Sequence, residues 1–471
     1  EGNLTTVAYS EPLTVEFLKA NPFLVLDTAF FSDAFKEKLI DGIDNLDEKL
    51  DGLMIHSENS QALQFLQNKY SSKIDAVHID PPYNTDTSGF MYKNNYRHSS
   101  WASMMYDRIR LAYILLEEDN GAFQCHIDEN EYELLYKIFD EFSRPSVGTI
   151  IWNKLNPMLG RKGVSTQHEY VIYRSNFVKS IYAVSDNINK IKEYAQKAIS
   201  ETGGVNDDSR KLFAKLVSQD DKLSGGDKAY HLLDDNGSIY RLVAMGAPEK
   251  RTDPKYYIPL IHPITHKECP VPPNGWSRNP ETMADMIEKG SIIFGKDETT
   301  QPQKKVFLSE TATRQISSVI ENGNSGKADL DKLGLGFPYA HPVSLYETLI
   351  SANSPKTILD FFAGSGTTAH AVINLNRADG GHRKYILVEM GEYFDTVTRP
   401  RIEKVVYSED WKDGKPVSRK GSSHAFKYLR LESYEDALNN ISLTDYDMTK
   451  LGDAKEGYFL SYMLNTESDG S

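Results

Sequence analysis

The stretch Ile74-Asp75-Ala76-Val77-His78-Ile79-Asp80-Pro81-Pro82-Tyr83 decides the fold. Its apolar run, Ile74 to Ile79, has the length and composition of a buried strand. Such a strand in an open α/β sheet delivers the residues after it to the carboxyl edge, where these folds hold their ligands. Pro81 and Pro82 stop the strand, since neither has an N–H to donate and each fixes φ. The chain is therefore stiff where Asp80 offers a carboxylate, the prolines offer carbonyls and Tyr83 offers a flat ring. Two acceptors beside an apolar platform suit a planar base bearing an amino group. The same four residues also read as a plain turn, because Asp and Pro are ordinary turn formers.

A second stretch weighs against the plain turn. Asp360-Phe361-Phe362-Ala363-Gly364-Ser365-Gly366 follows the apolar strand Thr357 to Leu359 and opens a helix at Thr367. Gly364 and Gly366 allow a ligand to approach the backbone. The spacing is close to the dinucleotide fingerprint but lacks its third glycine, and the chain has no GxxxxGK[ST] phosphate loop. Glu389 ends the next strand, where a nucleotide fold sets a carboxylate to accept from both ribose hydroxyls.

Together the two stretches resemble the catalytic and cofactor motifs of the amino-methyltransferases that act on exocyclic amino groups of DNA bases. Their order, DPPY first and FAGSG much later, resembles the β-group of that family. "LDGLMIHSENSQAL", "DPPYNTDTSGFMYKNNYRHSSWASMMYDRI", "HPITHKECPVPPNGW" and "FKYLRLESYEDALNNI" are similar to stretches of the modification subunits of type III restriction–modification systems. The resemblance covers most of the chain and is weakest over residues 185–240. It implies a Rossmann-like, mixed and mostly parallel seven-stranded α/β methyltransferase sheet, circularly permuted in motif order, with a target-recognition region inserted. It implies that Asp80, Pro81, Pro82 and Tyr83 are catalytic, and that Asp360, Phe361, Ala363, Gly364, Gly366 and Thr367 bind the cofactor. It also puts Asn59 against the adenosyl half of that cofactor; a helix cap is the alternative for Asn59. S-adenosylmethionine fits a glycine turn followed by Glu389, since it carries a ribose and a sulfonium but no phosphate.

The composition bounds these readings. With 471 residues, 39% of them apolar, the chain can bury a large core in more than one structural unit. No apolar run approaches the ~18 residues that span a membrane. Two cysteines make no disulfide framework, so a cytoplasmic setting is expected. Glu1 in place of Met leaves room for an earlier start. The net charge of −14 argues against indiscriminate affinity for nucleic acid and confines any DNA contact to local basic clusters.

In chain order, residues 1–50 read as an amino-terminal extension and 51–177 as the catalytic half of the methyltransferase domain. Residues 178–330 read as the target-recognition domain, 331–405 as the cofactor-binding half and 406–471 as a carboxyl-terminal region. Asn153 to Gln167 reads as a basic loop with Lys154, Arg161 and Lys162 toward phosphates. Over 178–330 the strand–helix alternation is lost, and Ser200 to Ser209 reads as a disordered loop. Arg241, Lys250, Arg251, Lys255, Lys304, Lys305 and Arg314 are candidate DNA contacts; sequence does not divide them between bases and phosphates. His262, His266 and Cys269 have no nearby Cys or His to complete a tetrahedral zinc site, so no metal is expected.

The chemistry expected is direct methyl transfer. A conjugated amino nitrogen is a poor nucleophile. Asp80 accepts one of its N–H groups and the Pro81 carbonyl region the other, which frees the lone pair. A paired base cannot reach Asp80, so it has to be flipped from the duplex and stacked on Tyr83. The resemblance favours adenine N6 as the target, with cytosine N4 and a silent DNA-recognition subunit as alternatives. It further implies a homodimer and a restriction (nuclease/helicase) partner.

Overall fold

A computed structural model of the chain describes residues 14–85, 97–156, 164–177, 181–184, 186–220, 223, 225–308, 313–352, 354–418 and 420–432. Two compact units emerge, one of residues 1–183 with 314–471 and one of Val184–Thr313.

The larger unit is built on a nine-stranded sheet. In chain order its strands are β1 (Gly52–His56), β2 (Ala76–Ile79), β3 (Ala122–Ile127), β4 (Ser146–Asn153), β5 (His168–Ser175), β6 (Val319–Glu321), β7 (Thr357–Asp360), β8 (Lys384–Glu389) and β9 (Phe426–Arg430). Across the sheet they run β6-β4-β5-β3-β2-β7-β8-β1-β9. β5 pairs antiparallel with β3 and β4, and the other pairings are parallel.

The sheet exceeds the expected seven strands by one at each edge. β6 and β9 are half-exposed and carry Glu321, Lys427 and Arg430. Charged edge strands deter pairing with other chains, and for the same reason lack the apolar run that marks a strand in sequence. Because β6 belongs to this sheet, the smaller unit is narrower than the 178–330 read from sequence.

β2 and β3 are buried along their whole length, as parallel strands covered on both faces must be. On one face lie α1 (Asn59–Tyr70), α2 (His98–Leu115) and α3 (Tyr132–Asp140). Leu63, Leu66, Trp101, Met105, Ile109 and Phe139 pack there against Val77, Ile79, Phe123 and Cys125. Strand alternation turns His78, Gln124 and His126 to the other face. There Gln124 donates through Nε2 to the Leu349 carbonyl of α4 (Val343–Ile350) at 2.9 Å. Two further helices, α5 (Thr367–Asp379) and α6 (Arg399–Tyr407), follow β7 and β8. The amino-terminal extension is tied on by Tyr407, whose hydroxyl donates to Asn21 Oδ1 at 3.0 Å.

The smaller unit has its own core. Helices Asp186–Glu201 and Asp207–Gln219 bury Ala198, Phe213 and Val217 against Leu233 and Ile239. Leu232–Leu233, Ile239–Ala244, Gln303–Phe307 and Ile292–Ile293 form an antiparallel sheet. The disorder expected over Ser200 to Ser209 is corrected here. The first helix runs to Glu201, and Asn206 caps the second in a reciprocal box with Ser209, at 2.9 and 2.8 Å. Polar residues that suggest a solvated loop are also those that cap helices.

Candidate active site

β2 and β7 are neighbours in the sheet, with Leu359 opposite Val77. They are parallel, so both release their next residues at the same edge. Asp80 and the glycine turn, far apart in the chain, are thereby brought side by side.

The Asp80 side is held from beneath. Trp101 on α2 donates its indole N–H to the Pro82 carbonyl at 2.8 Å. Tyr83 packs against the sheet core, and its hydroxyl donates to Glu169 Oε2 at 3.1 Å. Glu169 lies on β5 and is only 6% exposed. The Lys154 ammonium pairs with its other oxygen. Burial favours the acid form of Glu169, but His341 and Lys154 outweigh it and hold the carboxyl down at about 2. Lys154, read as a phosphate contact, thus turns inward onto a buried carboxylate that requires a cation.

His341, just before α4, joins the two acids. Its Nδ1 lies 3.4 Å from Asp80 Oδ2 and its Nε2 lies 3.2 Å from Glu169 Oε2. Burial raises the Asp80 carboxyl above the usual carboxylate range, and the His341 charge opposes that rise. Among the described residues, His126, Glu169 and His341 bring donor atoms within 4.8 Å of one another. Lys154 already neutralises Glu169, and His341 already spans two carboxylates. The group is therefore a closed charge network and not an open set of metal donors.

The glycine turn is shaped by a different set. Asp360 is 2% exposed; it accepts from the Phe362 N–H at 3.1 Å and the Thr368 hydroxyl at 2.5 Å. Burial pushes its carboxyl up to about 7. Gly364 and Gly366 adopt φ of +52° and +83°, in the left-handed region. A Cβ on Gly364 would meet nothing nearer than the Phe362 carbonyl at 3.9 Å, so space lies open before the turn. Behind it, Thr398 donates to the Gly364 carbonyl at 2.6 Å. The buried Arg401 guanidinium reaches Ser365 Oγ at 2.8 Å and Thr367 Oγ1 at 3.0 Å. Ala363 and Thr367 are buried within the turn, and the Phe361 ring enters the sheet core.

Glu389 is 3% exposed and accepts from the N–H groups of Gly364, Met390 and Gly391 at 2.8–2.9 Å. It fastens the tip of β8 to the glycine turn. Asn59 stands at the third strand end, after β1. The α1 cap is Glu58, whose carboxylate accepts from Ser60 and Gln61 N–H. Asn59 instead donates to the Phe361 carbonyl at 3.3 Å and accepts from Arg108 at 3.1 Å.

The other expected residues lie elsewhere. Arg161 and Lys162, like much of the loop after Tyr83, fall outside the described residues. Arg251, Lys304 and Lys305 belong to the smaller unit. The Arg251 guanidinium stacks on Tyr256 at 4.8 Å, and the Lys305 ammonium lies 5.0 Å above the Tyr240 ring. His262 has a structural use there: Nδ1 accepts from Thr265 N–H at 3.1 Å and Nε2 donates to the Gly295 carbonyl at 3.1 Å.

Trp101, Glu169, His341 and Arg401 escaped the sequence reading as site residues. A weak signal existed for Glu169, an acid within the strand-like "HEYVIYRS", and for His341, which precedes Pro342 where a helix begins.

The DNA methylase family matches residues 74–399. The type III restriction-modification enzyme EcoP15I Mod subunit of Escherichia coli is 30% identical, over 72% of this chain and 58% of that protein. The StyLTI Mod subunit of Salmonella typhimurium is 28% identical, over 75% of this chain and 56% of that protein. The chain thus spans less than two thirds of the length of these relatives. Among solved structures, the cytosine-N4-specific PvuII DNA methyltransferase is 12% identical with a TM-score of 0.38, over 75% of this chain and 86% of that one. A putative DNA modification methylase from Thermus thermophilus, complexed with S-adenosyl-L-methionine, is 10% identical with a TM-score of 0.37, over 81% and 100%. A matched region that contains both strand-end motifs, and spans well over half of the sequence, shows that the chain belongs to the N6/N4 DNA methylase family.

Proposed function

We propose that the chain transfers a methyl group from S-adenosylmethionine to the N6 amino group of adenine in duplex DNA, as the modification subunit of a type III restriction–modification system. The observation that carries this reading is the adjacency of Asp80 and the glycine turn at one sheet edge, in a chain whose relatives include type III Mod subunits.

The residues present fit the cofactor. Gly364 faces open space, and the turn around it is braced from behind, so its backbone is free to meet a ligand. Glu389 ends β8 at this turn, the place where a nucleotide fold sets a carboxylate for ribose hydroxyls. Asn59 sits at the same edge. When bound, S-adenosylmethionine supplies an electrophilic methyl group on a sulfonium.

Asp80 accepts from the target amino group and localises its lone pair, and its negative charge stabilises the positive charge that grows on the nitrogen. The new ammonium is strongly acidic, so Asp80 can take its proton and pass it to water. Tyr83, anchored through its hydroxyl, offers its ring to the flipped base. The Val184–Thr313 unit, with Lys304 and Lys305 on one strand, is the proposed target reader. A second copy of the chain and a restriction subunit are its proposed partners.

The test is methyl transfer from labelled S-adenosylmethionine to mixed-sequence duplex DNA, followed by nucleoside analysis. N6-methyladenosine is expected. N4-methylcytosine would retain the mechanism and overturn the target base. No product from a cofactor-bound protein would overturn the enzyme reading.

A further inference from the structure

We propose that His341 is a positioning residue for methyl transfer: as an imidazolium it bridges Asp80 and Glu169, and so fixes the orientation and charge of the carboxylate that accepts from the target amino group. The inference rests on the function proposed above and adds to it a residue outside both motifs.

Geometry is the first support. The imidazole engages one acid through each nitrogen, Asp80 Oδ2 at 3.4 Å and Glu169 Oε2 at 3.2 Å. A ring that serves two carboxylates at once needs a proton on both nitrogens. Its plane is set from three sides. Trp152 meets it edge-on at 4.8 Å, His126 lies 4.8 Å away, and the Tyr346 hydroxyl lies 3.3 Å from Nδ1. Asp80 has moderate access to solvent, with 31% of its side chain exposed. Removing His341 takes away the cationic partner of this carboxylate and leaves the Tyr83 hydroxyl beside it.

The second support is the contrast among three clustered histidines. His78 Nδ1 donates to Gln124 Oε1 at 2.7 Å, which makes its Nε2 an acceptor. His126 Nε2, 3.2 Å from that atom, is then the donor. This assignment gives both rings one proton, and burial agrees with it. His78 is pushed down to about 4 and His126 well below the ordinary histidine value. Burial acts on His341 in the same direction, but Asp80 and Glu169 outweigh both burial and the Lys154 charge, and its value is raised. Of these three rings, His341 is the one within ion-pair distance of acids.

The charged groups around His341 fix the sign of the effect. Asp80 follows β2, Glu169 lies on β5 and Lys154 follows β4; neutral His126 and Tyr346 complete the surroundings. Glu169 keeps Lys154 when His341 is removed, whereas Asp80 loses its paired cation and keeps only the weaker influence of Lys154. Burial and the nearby Glu169 charge then raise Asp80 further, so it protonates at higher pH and ceases to accept.

The experiment compares wild type with His341→Ala, and with His341→Gln should the first variant fail to fold by circular dichroism. In steady-state methylation, kcat is expected to fall about 10–100-fold, as for a misplaced catalytic group. The cofactor KM should change little, and the acidic limb of kcat should move up by about one pH unit. Added imidazole should restore part of kcat. A reduced kcat with an unmoved acidic limb and no rescue would mean a merely structural role and overturn the inference, as would an unchanged kcat.

The second readout is Asp80 itself, titrated by carboxyl carbon NMR with Asp80→Asn identifying its signal. A higher midpoint in the His341 variant is expected, and an unchanged one overturns the inference. Absence of methylated nucleoside from wild type would sink the proposed function, while this titration would still decide the bridge.

Discussion

Asn59 and Phe361 are 302 residues apart in the chain, and the Asn59 amide donates to the Phe361 carbonyl at 3.3 Å. The bond joins the turn after β1 to the turn after β7, across the intervening β8. It lets the amino-terminal part of the chain hold the glycine turn that the carboxyl-terminal part supplies. Asn59→Ala is expected to cost about 1 kcal/mol of stability, the net worth of such a bond. S-adenosylmethionine binding should weaken several-fold. Chemical denaturation and calorimetric titration check the two effects.

Asp80 is the acceptor on which the proposed chemistry turns. Asp80→Ala is expected to lower kcat by ~10²–10³, the usual result of removing one preorganised electrostatic partner. Binding of duplex DNA should persist, since it is the transition state that loses its partner. Single-turnover methylation beside a DNA-binding assay separates the two. Unchanged methylation would overturn the site.

Gly366 adopts φ +83°, and a Cβ there would lie 3.2 Å from Thr398 Cγ2. Gly366→Ala therefore combines a left-handed backbone, at roughly 1–2 kcal/mol, with a contact that forces Thr398 aside. The turn should deform and cofactor affinity should fall at least tenfold. Ala369→Gly, within α5, is the control: it should lower stability with little effect on affinity.

Asp360 gives a pH dependence with a definite sign. Burial raises its carboxyl to about 7 from an ordinary value of 3.8. In that window the folded chain binds a proton that the unfolded chain has lost. This contribution to stability is present below about 4 and is lost as pH rises toward 7, with a slope of at most ~1.4 kcal/mol per pH unit. Asp360→Asn, which keeps the shape and an acceptor, should remove the slope. Melting temperature against pH, wild type compared with variant, tests it. Parallel curves would show that Asp360 is not raised.

Both strand-end motifs were legible in the sequence because they are local. Apolar runs mark β2 and β7, two prolines mark the stop after Ile79, and two glycines mark the turn before α5. Their order along the chain resembles the β-group of the family, and that resemblance implied a permuted arrangement. The edge strands β6 and β9 were not legible, since a half-exposed polar strand carries no apolar run. The helix cap at Asn206 was read as disorder because caps and loops share a composition.

What the tertiary structure decided is which distant residues support those motifs. Glu169 became a site residue because β5 runs antiparallel beside β3 and carries its carboxylate to Tyr83, Lys154 and His341. Lys154 was read as a phosphate contact, but charge alone does not tell a lysine that faces DNA from one drawn onto a buried acid. Arg401 braces the glycine turn from a helix after β8, and nothing local distinguishes it from Arg399 two residues before. Sequence by itself determined the chemistry the two turns could offer, because strand, stop and turn are encoded by short-range sterics and burial pattern. The partners of Asp80 were decided by strand order and by the charge balance a buried carboxylate demands, and both exist only once the sheet has formed.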